Sequence, residues 1–218
     1  MRWSDTIWQD TADIYSRILE MPFIKELSGG TLPPGKFCFD IAQDALYLEQ
    51  FGRKELALTA AKAADVNDVL TYMRFAETAI VVEQALHASY FADFGVSEKG
   101  VMQPACHHYT HFLRSTAALD PVEVSMAATL PCFRIYAEVG AHIYAGHSSK
   151  DNPYQRWIDT YAGEDFMYSV QRAIDCCDRV AEQSSPSVRT RMNGTFICAA
   201  RMEFAFWDAA YRMHTWHI

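Results

Sequence analysis

The 218-residue chain has no run of about 18 apolar residues, the length a helix needs to cross a bilayer, so no membrane span is expected. No basic stretch followed by an apolar core opens it at Met1-Arg2-Trp3-Ser4-Asp5, so no signal peptide is expected either. Basic residues are few and scattered: 19 Lys and Arg stand against 27 Asp and Glu, a formal net charge of -8. Phosphate neutralisation needs concentrated positive charge, which excludes nucleic acid and an anionic membrane surface as expected partners. Six cysteines occur, at 38, 106, 132, 176, 177 and 198, but none forms a C-x-x-C pair. That spacing offers no zinc framework and reads as reduced thiols in a cytoplasmic protein. Alternating apolar and polar runs, internal repeats and low-complexity stretches are absent too, which speaks against strands, solenoids and disorder.

Half of the residues are hydrophobic and 13% are aromatic, enough for one large core. Helical periodicity runs from end to end. Trp3, Ile7, Trp8, Ile14, Tyr15 and Ile18 form a first stripe with Ser4 as a plausible N-cap. Pro22 ends that helix or starts a short one, which Ser28-Gly29-Gly30 stops. A long helix opens near Pro33-Pro34-Gly35 and runs to about Ala64, with Gly52 as a possible disturbance. Asp65 can cap the next, to Phe94, with Gly95 as its stop. Others start at Pro104, at Asp120-Pro121 and at Pro153; the second ends near Gly146, before a polar loop at 147–152. Glu164–Glu182 is amphipathic, and a last helix spans Ser187 to about Trp216. The spacing predicts one all-α domain, residues 1–218, of seven or eight helices.

Within that pattern Leu130-Pro131-Cys132-Phe133-Arg134-Ile135-Tyr136 stands out. A proline inside a helix removes a hydrogen bond and clashes with the carbonyl four residues back, at a cost of about 3 kcal/mol, and is expected to bend the helix. Cys132 and Tyr136, at i and i+4, share a face. That face looks into a pocket, or Cys132 is simply a buried, inert thiol. Asp44 completes the apolar series Phe37, Ile41, Leu48, Phe51, and Glu203 falls in the inward stripe of the last helix. Buried carboxylates are expensive unless bonded, so each is a structural partner or a functional group. An ion pair of Glu203 with Arg201 or Arg212 is the structural alternative, though both arginines fall on other faces. Together, one thiol, two carboxylates and Tyr47, Tyr109, Tyr136 and Tyr161 can form a pocket with a nucleophile, an acid or base of raised pKa, and rings that grip a flat heterocycle.

The segment Leu130–Gly140 resembles the cysteine motif of the TenA, or thiaminase II, family. Asn152-Pro153-Tyr154-Gln155-Arg156-Trp157 through Gly163 resembles its second motif, Glu203-Phe204-Ala205-Phe206-Trp207-Asp208 through Arg212 its C-terminal one, and Gln43-Asp44-Ala45-Leu46-Tyr47-Leu48 an N-terminal one. The resemblance spans almost the whole chain in family order. It implies a haem-oxygenase-like helical bundle without haem, usually a homotetramer, with neither metal nor cofactor. It further implies hydrolysis of an aminopyrimidine to ammonia and the hydroxymethylpyrimidine of thiamin, with cleavage of thiamin as a related activity. On this reading Cys132 adds to the pyrimidine ring and Glu203 exchanges a proton with a ring nitrogen. Asp44 holds the amino group, Tyr47, Tyr109, Tyr136 and Tyr161 line the site, and Phe206 stacks on the ring.

Arg134 departs from the family's usual aromatic residue, Phe204 from its usual Tyr, and Cys106-His107-His108-Tyr109 is unusually rich in histidine. Arg134 is expected off the face that carries Cys132 and Tyr136. Two alternatives remain. Glu138 with His142, and His107 with His111, have i, i+4 spacings that can hold a metal, as a metal-dependent oxidase on the same bundle would need. A non-enzymatic, pyrimidine-binding regulator is the other.

Overall fold

The computed structural model describes residues 1–94, 100–146 and 151–217, with the backbone alone at 82–84, 86 and 87. Gly95 and most of the expected loop at 147–152 lie outside the described residues. The described chain is all helical: α1 Trp3–Asp10, α2 Ala12–Leu19, α3 Pro22–Ser28, α4 Pro34–Gln50, a π-helical segment Phe51–Leu56, α5 Ala57–Lys62, α6 Val66–Asp93, α7 Pro104–Leu119, α8 Val122–Gly146, α9 Gln155–Ala162, α10 Glu164–Gln183 and α11 Pro186–Arg212.

The described residues form twelve segments where seven or eight helices were expected; part of the excess is that the first expected helix is divided in two and the third in three. The first stripe breaks at Thr11, whose hydroxyl donates back to the Ile7 carbonyl at 2.9 Å, a local bond that competes with helix propagation. The third is interrupted at Gly52, where a Cβ would stand 2.8 Å from Ile80 Cγ1 and 3.0 Å from the Ala76 carbonyl. Glycine lets the π turn press against α6.

Ser4 is not a cap. It lies inside α1, fully buried, and its N–H and Oγ donate to the two oxygens of Asp178 at 2.8 and 2.9 Å. Asp65 does cap α6, accepting from the Asn67 N–H at 2.7 Å. Pro131 does not break α8, which stays helical from Val122 to Gly146. The last helix stops at Arg212, short of Trp216, because Met213 turns left-handed at φ 52° and the His214 N–H bonds the Ala209 carbonyl.

Helix α8 is the centre, with α7, α9, α10 and α11 packed on it, while α4, α5 and the π segment pack on α6. Two apolar clusters result. One gathers Phe51, Tyr72, Met126, Phe133 and Phe196; the other gathers Phe23, Phe37, Tyr136, Trp157 and Trp207. Trp157 and Trp207 are fully buried, each contributing roughly 4 kcal/mol of gross hydrophobic stabilisation. No described helix is long and apolar enough to cross a membrane.

Candidate active site

A cavity of about 610 Å³ opens where the two clusters meet. Helix α4 supplies Asp44 and Leu48 to its wall, α8 supplies Cys132, Phe133 and Tyr136, and α9 supplies Tyr161; Phe51, Phe75 and Phe166 add rings. The i, i+4 spacing of Cys132 and Tyr136 puts both on the cavity side of α8, as their shared face predicts. Cys132 is half-buried, whereas Cys106, Cys176 and Cys177 are buried. Burial pushes the Cys106 and Cys177 thiols up and that of Cys176 up to about 12, which keeps those three inert. Of the described cysteines, Cys132 alone lines the cavity.

The other predicted site residues form a layer behind this wall. The Tyr109 hydroxyl donates to Glu203 Oε1 at 2.7 Å, and Glu203 is 2% exposed. Burial, with Asp44 adding to it and the Tyr109 bond opposing it, raises the Glu203 pKa to about 8. No arginine holds Glu203 among the described contacts; Arg212 instead pairs with Asp208 on the turn before it, Nε to Oδ2 at 2.9 Å. The Tyr47 ring lies 5.0 Å from Tyr109, 5.3 Å from Phe51 and 5.9 Å from Phe206. Burial first, then the neighbouring Cys132 and Tyr109, push the Tyr47 phenol up. Tyr136 contacts Tyr161 and Trp207, each at 4.9 Å between rings, and burial, Asp44 and Glu203 raise its pKa as well. Asp44, Cys132, Tyr136 and Tyr161 thus face the cavity, and Tyr47, Tyr109, Glu203 and Phe206 back it.

The model of the TENA/THI-4/PQQC family matches residues 8–213. The chain belongs to that family. It is 31% identical over 222 residues to an aminopyrimidine aminohydrolase of Bacillus subtilis, covering 99% of this chain and 92% of the relative. It is 34% identical over 212 residues to the thiamine biosynthesis multifunctional protein ThiED of Corynebacterium efficiens; that match covers 96% of this chain but spans only 28% of the longer protein. The crystal structure of a TenA homologue from Pyrococcus furiosus superposes with a TM-score of 0.90 at 21% identity, over 95% of this chain and 99% of that one, a likeness of fold.

In this TENA/THI-4/PQQC chain the departures from the motif have a structural use. Arg134 lies off the face that carries Cys132 and Tyr136: its Nη1 donates to the Ser4 carbonyl at 2.9 Å, and its guanidinium sits 4.4 Å over the Trp8 ring. It ties α8 to α1, a half-buried stacking role that arginine suits. His107 and His111 stack at 3.8 Å on the exposed side of α7, and His111 Nδ1 is spent on the His107 carbonyl. Neither that pair nor Glu138 with His142 meets a third ligand among the described residues. One group near the site was not foreseen. Asp40, one turn before Asp44 on α4, is 2% exposed, and burial, Asp44 and Glu203 hold its pKa well above the carboxylate range. Its i-4 spacing from Asp44 was the available signal.

Proposed function

We propose that this chain is an aminopyrimidine aminohydrolase of thiamin salvage that acts through Cys132. The observation that carries the reading is the cavity wall, where a half-buried cysteine stands with Asp44, 3% exposed, and two tyrosines. Behind that wall is an acid whose pKa is raised to about 8. The substrate is 4-amino-5-aminomethyl-2-methylpyrimidine. The Cys132 thiolate bonds to a ring carbon, and Glu203 passes its proton to a ring nitrogen, so the ring's electrons can move outward. The exocyclic carbon–nitrogen bond breaks and the aminomethyl nitrogen, protonated at neutral pH, leaves as ammonia. Water then adds to that carbon and gives its proton to the departing ammonia, the sulfur is expelled as thiolate, and the ring nitrogen returns its proton to Glu203, leaving the hydroxymethylpyrimidine. Asp44 accepts from the ring amino group. Tyr136 and Tyr161 flank the ring, and Tyr47 and Tyr109 orient Cys132 and Glu203 from behind; Phe206, expected to stack on the ring, is outside the cavity lining and packs edge-on against Tyr47 at 5.9 Å instead. Thiamin is a second substrate, its thiazole leaving in place of ammonia. We take it to be cytoplasmic, from its reduced thiols, and a homotetramer, as the resemblance implies; sizing chromatography tests the assembly.

Ammonia release from the aminopyrimidine, with thiamin cleavage in parallel, tests the reaction. Cys132→Ser is expected to lower both by about 10³-fold or more while leaving the melting temperature unchanged. Wild-type rates in the folded Cys132→Ser protein would falsify the mechanism.

A further inference from the structure

Gln43 stands next to Asp44 on α4 and is 6% exposed, yet both ends of its side-chain amide are bonded. Its Nε2 donates to the Val101 carbonyl at 3.0 Å, and its Oε1 accepts from the Gln103 N–H at 2.7 Å. One side chain thus grips the backbone of a loop through a donor and an acceptor, as a neighbouring strand would. From outside, the Trp216 Nε1 donates to the Met102 carbonyl at 2.9 Å, and the Trp216 N–H to Gln103 Oε1 at 3.2 Å. That loop runs into Pro104, where α7 begins. Inside the first turn of α7 the Cys106 Sγ donates to the Gln43 carbonyl at 3.4 Å. One turn further is Tyr109, its ring 5.0 Å from Tyr47, which follows Gln43 by one turn on α4. The same edge of α4 therefore meets Gln103, Cys106 and Tyr109 in succession. The last of these carries the hydroxyl that donates to Glu203.

We propose that Gln43 is a positioning residue: by clamping the loop that opens α7, it holds the Tyr109 hydroxyl on the Glu203 carboxyl. This rests on the reading of Glu203 as the acid of the reaction. Further along α7, Leu113 and Ala117 pack in the apolar core, and apolar contact carries no direction. Such packing resists separation of the helices more than it resists sliding. The Tyr109 bond, 2.7 Å long, is sensitive to sliding, because a hydrogen bond weakens steeply as it is misaligned. Tyr109 lies about 9 Å along the helix from Gln103, so a displacement of the clamped loop reaches it almost undiminished. Among the described residues, the ionisable groups around Glu203 are Asp40, Asp44 and Tyr47 on α4, Tyr109 on α7 and Tyr136 on α8. Of these, Tyr109 donates the hydrogen bond, and that bond favours the carboxylate. Loosening the clamp therefore makes Glu203 keep its proton to higher pH, the same direction as removing the Tyr109 hydroxyl.

Two substitutions release the clamp. Gln43→Met keeps the shape of the side chain and removes both of its bonds. Gln103→Pro leaves Gln43 intact and removes the N–H that it accepts from. Gln103 sits at φ -87° and ψ 167°, within reach of proline. Each is made in wild type and in Tyr109→Phe. The readouts are the titration of the Glu203 carboxyl by carbon NMR, assigned with Glu203→Gln, the kcat/KM profile for the aminopyrimidine, and the melting temperature. Gln43→Met is expected to raise the Glu203 midpoint by about half a pH unit or more and to move the alkaline limb of kcat/KM with it. Gln103→Pro is expected to shift both in the same direction by less. In Tyr109→Phe neither substitution should move the midpoint, because the hydroxyl they displace is already gone. A purely structural clamp lowers the melting temperature and leaves the midpoint in place. An unmoved midpoint in Gln43→Met, or in Gln103→Pro should Gln43→Met not fold, overturns the proposal and leaves the hydrolase reading standing. So does an equal shift with and without the Tyr109 hydroxyl. Failure of both variants to fold overturns it too, since the clamp then holds the fold rather than the hydroxyl. A shift that requires Tyr109, in a protein that turns over no aminopyrimidine, overturns the hydrolase reading and keeps the positioning role.

Discussion

Glu203 is pulled in two directions, and its chemistry follows from which pull dominates. Burial and the Asp44 charge favour the proton, while the Tyr109 hydroxyl, donating at 2.7 Å, favours the carboxylate. Burial wins, so the free enzyme keeps the proton up to about pH 8. The kcat/KM profile, which reports the free enzyme, is expected to fall above that pH. Tyr109→Phe removes the group that favours the carboxylate, so the alkaline limb moves to higher pH; a limb that stays or moves down contradicts the assignment. Glu203→Gln abolishes the limb and raises the barrier by about 2 kcal/mol or more. The sequence exposed Asp44, Cys132 and Glu203 because each is a polar side chain at an apolar position of a helical stripe. It did not expose Tyr109 as the partner of Glu203, since their contact joins α7 to α11, 94 residues apart. Nor did it separate the wall from the layer behind it. Helical periodicity says which way a side chain faces, not how deep the neighbouring helix lies.

Most helix ends were readable because proline, glycine and capping acids act locally. Pro22, Pro34 and Pro104 each open a helix, Asp65 caps another, and the last helix starts at Pro186, one residue before the expected Ser187. What could not be read depended on packing: the π turn needs α6 against Gly52, and the break at Thr11 competes with a helix that propensity would continue. Gly140 shows the same dependence beside the cavity. A Cβ there would come within 2.7 and 2.8 Å of the backbone carbon and oxygen of Tyr161, atoms of α9 that cannot rotate away. Gly140→Ala is therefore expected to push α9 from α8, costing about 1–3 kcal/mol in urea unfolding. Because Tyr161 forms the cavity wall, KM should rise too. Retention of wild-type stability would mean the two helices do not approach this closely in solution.

The molecule as a whole buries more acid than its chemistry uses. Glu55, in the π segment, is fully buried, and neither of its carboxyl oxygens has a hydrogen-bond partner. Burial raises its pKa from 4.5 to about 7, against the opposing charges of Arg114 and Lys54. Asp40 and Glu203 are shifted in the same direction. A raised folded-state pKa means that the folded protein holds protons which the unfolded chain has already released. The stability due to these protons is complete below the unfolded pKa of about 4.5. It drains as pH rises through about 7 for Glu55 and about 8 for Glu203. For Glu55 alone the loss between about pH 4.5 and 7.5 amounts to roughly 3 kcal/mol at most. Glu55→Gln carries no titrating group and is expected to flatten the curve by that share, so the variant gains on wild type as pH rises. Urea unfolding of both proteins at several pH values measures this directly. Parallel curves would show that Glu55 finds a charged partner or water in solution and that the π segment is not a dry site.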